Sequence, residues 1–178
     1  MNQPSAGPKL QVSLIDTLAR IELRLAGQAA ARSRWAAAAP MRQAVLAELD
    51  RLETGNAAQV ALLLHEAMQI GCEFSVAELK EFGEEVEDLV EGQRAADKVW
   101  PLYSVRSGSG AAEGLRRLLL AIIRDLRVVF ILLAGQLVRM RNAMKLDEIE
   151  RHALAQLTAD IHAPLANRLG IWQLKWEL

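Results

Sequence analysis

Apolar residues along the chain recur mainly at intervals of three and four, the spacing that places them on one face of an α-helix. The first stripe of this kind consists of Leu14, Leu18, Ile21 and Leu25. No segment alternates polar and apolar residues well enough to indicate a β-strand. The pattern therefore predicts an all-α protein of about nine helices that pack as one domain.

Capping residues mark where several of these helices begin. Pro40 suits the first position of one helix, and Asn56 suits the N-cap of the next. Ser75 and Glu78 have the spacing of a capping box, and Asp125 is expected to cap a second helix within the long apolar stretch after residue 112. These signals divide the chain into helices of ordinary length.

Other segments predict breaks between helices. Residues 1–9 are polar, contain Pro and Gly, and are expected to be disordered. Residues 29–39 are rich in Ala, and residues 101–111 include Ser-Gly-Ser-Gly. We expect these two segments to be the most mobile interior parts of the chain. Pro164 is expected to kink or end its helix.

The composition of the chain argues against DNA and anionic membranes as partners. The 178 residues carry a net charge of −1, so no overall field attracts the chain to DNA or to an anionic membrane. The most apolar run, the eleven residues from 128 to 138, is too short to span a bilayer. Cys72 is the sole cysteine, and the first residues do not resemble a signal peptide. We therefore expect a cytoplasmic protein without disulfides.

Three stretches of the chain are similar in sequence to one known family. Residues 82–92 read FGEEVEDLVEG, similar to its FGxEVxxLVxGV segment, and the family's Asp-Lys pair follows at Asp97. Residues 114–129 resemble its NLRKMLLAMxxDxRVV segment. Residues 163–178 match the family's joint between a hydrolase and a synthetase domain almost residue for residue. From about residue 57 onward, the chain thus resembles the RelA/SpoT homologue family.

The resemblance implies an organisation and a chemistry. Residues 10–170 would form a helical domain of the HD superfamily, and residues 171–178 would begin the helix that leads into a synthetase domain. Active members remove pyrophosphate from the 3′ position of (p)ppGpp with a bound manganese ion. Such chemistry uses a metal because a divalent ion lowers the pKa of water and neutralises charge on the leaving group.

Aligning the family's metal ligands with this chain shows that most of them are missing. His65 and Glu66 fall at the His-Asp pair, so one ligand is retained and one is lengthened. Met41 falls at the first His, and Gly135 at the last Asp. Manganese prefers oxygen and imidazole ligands. The resemblance therefore implies vestigial metal positions and no metal in this chain.

The positions that serve water and substrate have changed as well. Gln69 and Ile70 fall at the family's Glu-Asp pair, and Arg139 falls at the Asn that helps to hold the nucleotide. We therefore predict a hydrolase-like domain without catalytic residues. With its metal partners gone, His65 is interpreted as a structural histidine, as are His152 and His162.

The resemblance also implies a regulatory function for the domain. The predicted function is regulation of a GTP pyrophosphokinase, which transfers pyrophosphate from ATP to GTP in the stringent response. Trp172 and Trp176 share one helical face and are the candidates for coupling to the synthetase domain of the same polypeptide. That domain would use Mg²⁺ with ATP, and other parts of the parent protein would contact the ribosome. The alternatives are an active hydrolase with an unusual metal set and a free-standing helical interaction module.

Overall fold

The computed structural model describes residues 13–101 and 109–178 of the chain. Within these ranges it contains α-helices and short 3₁₀ and π turns but no β-strand, so the predicted all-α class is confirmed. The α-helices are α1 (Leu14–Leu25), α2 (Ala29–Ala37), α3 (Ala39–Arg51), α4 (Asn56–Gln69), α5 (Val76–Glu81), α6 (Glu84–Asp97), α7 (Ser109–Ile122), α8 (Leu126–Arg141), α9 (Glu148–Leu157), α10 (Ala163–Arg168) and α11 (Trp172–Lys175).

Local capping chemistry explains several helix starts. Ser75 and Glu78 form both bonds of the predicted capping box before α5. Asp125 caps α8, because its side chain accepts a hydrogen bond of 2.9 Å from the Arg127 amide. One prediction needs correction: Asn56 is the first residue of α4, and Gly55 holds the N-cap position with a φ of 82°. That backbone conformation favours glycine, so glycine takes the position.

Two helices lie beyond the nine that the hydrophobic pattern indicates. The first is α2, within the Ala-rich segment 29–39, where Trp35 is buried. The second is α10, which begins next to Pro164. A π-helical turn at Thr158–His162 separates α10 from α9. The regular α-helix therefore ends at Leu157, before the π-helical turn, and Pro164 lies in the first turn of α10, where a missing amide costs no helical hydrogen bond.

Two expectations fall largely outside the described residues. Residues 1–9 lie outside them entirely, and so do residues 102–108 of the expected loop at 101–111. The remainder of that loop belongs partly to α7, which begins at Ser109 rather than at residue 112. The mobility of residues 29–39 stays a prediction, although their helix packs Trp35 into the core.

The core is built around α4, α6 and α8. Leu63 and Leu64 on α4 are completely buried, as is Leu89 on α6. Gly92 on α6 allows close approach to α8, because a Cβ atom there would lie 2.7 Å from a methyl group of Val128. This packing places α4, α6 and α8 around a common cavity.

A second apolar cluster joins α8 to the end of the chain. Leu133 and Leu137 of α8 contact Leu165 of α10, and Ile171 and Leu174 complete the cluster. The last residues are therefore packed onto the domain through aliphatic side chains. Among the described residues, no helix has the length and hydropathy needed to cross a membrane.

Candidate functional site

A cavity of about 460 Å³ opens among α4, α6, α8 and the π-helical turn. His65, Gly135 and Arg139 line it, so the fold brings together three of the positions that the sequence singles out. Its remaining lining residues are Leu62, Gln93, Trp100, Ile131, Leu132, Gln136, Leu157 and His162. The cavity therefore occupies the place where the resemblance puts a hydrolase site.

His65 is held by hydrogen bonds to protein groups. Its Nε2 atom lies 2.8 Å from a carboxylate oxygen of Asp97 at the end of α6. The amide of Gln69, one turn further along α4, donates to the same oxygen. These contacts engage the Nε2 atom of His65 with protein side chains. Sequence reasoning identified the Asp-Lys pair at Asp97 but not its role as the partner of His65.

Glu66 faces the buried guanidinium of Arg42. The Arg42 guanidinium is 6% exposed and lies 3.4 Å from the Glu66 carboxylate. Its carbon lies 3.6 Å from the centre of the Trp35 ring, and its N–H groups donate to the Trp35 carbonyl oxygen. Burial raises the pKa of the Glu66 carboxyl, and the Arg42 charge offsets this only in part. Sequence reasoning missed Arg42, whose one signal is its place beside Met41.

The other aligned positions contribute no metal ligand. Met41 is partly exposed and is not among the residues that line the cavity. Ile70 ends α4 and packs against the apolar core. A Cβ atom at Gly135 would have open space around it. In the described ranges, no group of three or more His, Cys, Asp or Glu side chains could hold a metal ion. These residues do not fit the manganese site that the resemblance implies for active members of the family.

His162 forms another part of the cavity wall. It lies in the π-helical turn, is buried, and stacks on Trp100 with 5.3 Å between ring centres. Burial lowers the pKa of His162 to about 4, and the nearby charge of Arg139 acts in the same direction. The imidazole is therefore neutral at pH 7. The sequence interpretation treated His162 as structural and did not place it beside the site.

The last residues of the chain are attached by charge as well as by apolar packing. Glu177 accepts hydrogen bonds from Arg141 on α8 and from Arg51 on α3, and Arg141 also binds the buried Glu48. Trp176 is 79% exposed, so it is not part of the core of this domain. The side chain of Trp172 lies outside what the structure describes.

Comparison with known proteins identifies a family and several relatives. Residues 22–172 match the HD domain family. The chain is 38% identical over 126 residues to a probable guanosine-3′,5′-bis(diphosphate) 3′-pyrophosphohydrolase of Synechocystis, covering 70% of the chain and 16% of that relative. It is 36% identical over 132 residues to a GTP pyrophosphokinase of Myxococcus xanthus, covering 73% of the chain and 17% of the relative. The chain thus matches about one sixth of the length of these curated relatives.

Proposed function

The chain belongs to the HD domain family and, within it, to the RelA/SpoT homologues, and we propose that it is an inactive hydrolase-like domain that regulates a GTP pyrophosphokinase. The relatives carry the names of both a synthetase and a hydrolase, so family membership alone leaves the activity of this domain open. The side chains at the aligned metal positions favour the inactive form.

The contact between Arg42 and Glu66 is the observation that carries this proposal. A divalent ion bound to Glu66 would lie within about 5 Å of the Arg42 guanidinium. At an effective dielectric constant of about 20, that repulsion is roughly 7 kcal/mol. The stacking on Trp35 and the bonds to its carbonyl oxygen hold the guanidinium in place. The arginine thus supplies the positive charge that a metal supplies in active relatives.

Of the three remaining aligned positions, the two that line the cavity support the same conclusion. Gly135 has no side chain to donate, and Nε2 of His65 is engaged with Asp97. A hydrolytic water therefore lacks both the metal that would activate it and a carboxylate base at Gln69 or Ile70 to accept its proton.

A manganese titration tests this part of the proposal. Free Mn²⁺ is followed by its paramagnetic resonance signal as the chain is added, in parallel with the variant His65→Ala. We expect no binding below millimolar concentrations and identical curves for the two proteins. Micromolar binding that disappears in His65→Ala would overturn the proposed loss of the metal site.

The regulatory part of the proposal rests on how the last residues are attached. Ile171 and Leu174 pack against α8, and Glu177 binds Arg141, so a shift of α8 moves whatever follows residue 178. The partner is a synthetase domain of the same polypeptide, which uses Mg²⁺ with ATP. The parent protein acts in the cytoplasm and contacts the ribosome through other parts.

The coupling is tested in a parent protein that contains the synthetase domain. The double variant Trp172→Ala/Trp176→Ala is compared with Leu23→Ala, which alters an exposed apolar residue on α1. We expect the double variant to change pyrophosphate transfer from ATP to GDP several-fold, which is the usual size of coupling between sites. The melting of the isolated domain should change little. Unchanged transfer, or unfolding of the domain, would contradict a coupling role for the tryptophans.

A further inference from the structure

The cavity at the former hydrolase site has survived the loss of its metal ligands. Its volume of about 460 Å³ lies within the range of sites that bind small molecules. Gly135 contributes to this volume, because a side chain at that position would extend into empty space. A domain that kept only its packing would be more stable if apolar side chains filled this space.

The cavity wall is mainly apolar and aromatic. Leu62, Ile131 and Leu132 supply aliphatic surface, and Trp100 supplies an aromatic ring. The stacking of Trp100 on His162, with an interplanar angle of 20°, fixes the orientation of that ring. The neutral imidazole adds a polar edge without a charge. Such a wall suits a flat ring system, which gains contact area without needing many hydrogen bonds.

The charges at the cavity restrict the ligand further. Arg139 is the one Lys or Arg among the described residues that line it. The carboxylate of Asp97 contacts His65, which lines the cavity. A guanosine polyphosphate carries several negative charges and needs several cations or a metal to balance them. One guanidinium balances one negative charge.

We propose that the cavity binds an aromatic molecule with a single negative charge, whose ring lies against the apolar wall and whose anionic group pairs with Arg139. This inference rests on the proposed function, because a bound metal would change the charge at the site. It assigns to the domain a ligand of a different class from the polyphosphate that active relatives hydrolyse.

The probe for this site is 8-anilinonaphthalene-1-sulfonate, an aromatic monoanion whose fluorescence rises in apolar surroundings. We expect one site per chain and saturable binding. The variant Gly135→Leu should weaken binding about tenfold or more, because its side chain occupies the space that the probe needs. Gly114→Leu is the matched control, since Gly114 is an exposed helical glycine with open space around it. It should bind the probe as the unaltered chain does.

A second pair of measurements tests the charge assignment. Arg139→Gln should weaken binding of the sulfonate several-fold and leave binding of uncharged N-phenyl-1-naphthylamine nearly unchanged. Equal binding by the Gly135→Leu and Gly114→Leu variants would overturn the cavity as the site. Displacement of the probe by equimolar ppGpp would overturn the proposed ligand class. Micromolar manganese binding would overturn the proposed function, and it is measured independently of the fluorescence.

Discussion

The Arg42 guanidinium and the Glu66 carboxylate lie 3.4 Å apart in a part of the domain where the Arg42 side chain is almost fully buried. The two residues come from different helices, α3 and α4. Each residue compensates the charge of the other, because a buried ion needs a partner of opposite charge. The pair therefore links α3 to α4 and leaves neither charge without a partner.

Removing the guanidinium should destabilise the fold. In Arg42→Met, the half-buried Glu66 carboxylate is left without this partner, and we expect a loss of about 2 kcal/mol in the free energy of unfolding, less than for a fully buried pair. Urea denaturation measures this loss. Adding Glu66→Gln should recover part of it.

The control for this pair is Arg94→Met, which breaks an exposed ion pair with Glu91. We expect a change below about 1 kcal/mol there. If Arg42→Met lowered the free energy of unfolding as little as this control does, Arg42 would not be the group that neutralises Glu66.

Two glycine variants test the packing of α6 against α8. Gly92→Ala places a methyl group 2.7 Å from Val128, and we expect a loss of about 1–3 kcal/mol in stability from overpacking. Gly114→Ala, on the exposed side of α7, should gain up to about 1 kcal/mol from helix propensity. Thermal melts of both variants measure these changes in stability. A stabilising effect of Gly92→Ala would mean that the two helices do not approach so closely.

His162 predicts a specific pH dependence. Its pKa is about 4 in the folded chain and 6.5 in its ordinary state, so the unfolded chain binds more protons between these values. Stability is therefore full above pH 6.5 and falls as the pH drops toward 4, by up to about 3 kcal/mol from this residue.

The variant His162→Gln separates this effect from other acid-sensitive groups. It should be less stable than the unaltered chain at pH 7, because the stacking on Trp100 is lost. Its melting temperature should fall less between pH 7 and pH 4.5. Parallel pH profiles for the two proteins would show that His162 does not titrate as its burial requires.

Features that depend on neighbouring residues were predictable from the sequence. The capping box at Ser75 and Glu78 and the cap at Asp125 follow from side-chain chemistry within three positions. The apolar spacing likewise placed nine of the helices. The π-helical turn at Thr158–His162 has no such local signal, because it packs against α7 and α8, which are distant in the sequence.

The candidate site was predictable only as a set of substitutions. Aligned positions such as Met41 and Gly135 indicate what is missing. They do not indicate what takes its place. The contact of Arg42 with Glu66 joins residues 24 positions apart, and that of His65 with Asp97 joins residues 32 apart. Both contacts depend on the angles between helices, which the pattern of apolar positions does not specify.

The most direct test of the inactive hydrolase-like domain is a turnover assay of the chain with ppGpp and added manganese. Pyrophosphate release is followed together with the metal content of the purified protein. We predict no manganese or zinc near one equivalent, no release above the protein-free rate, and no difference from His65→Ala. Manganese-dependent release of pyrophosphate that is lost in His65→Ala would contradict the account.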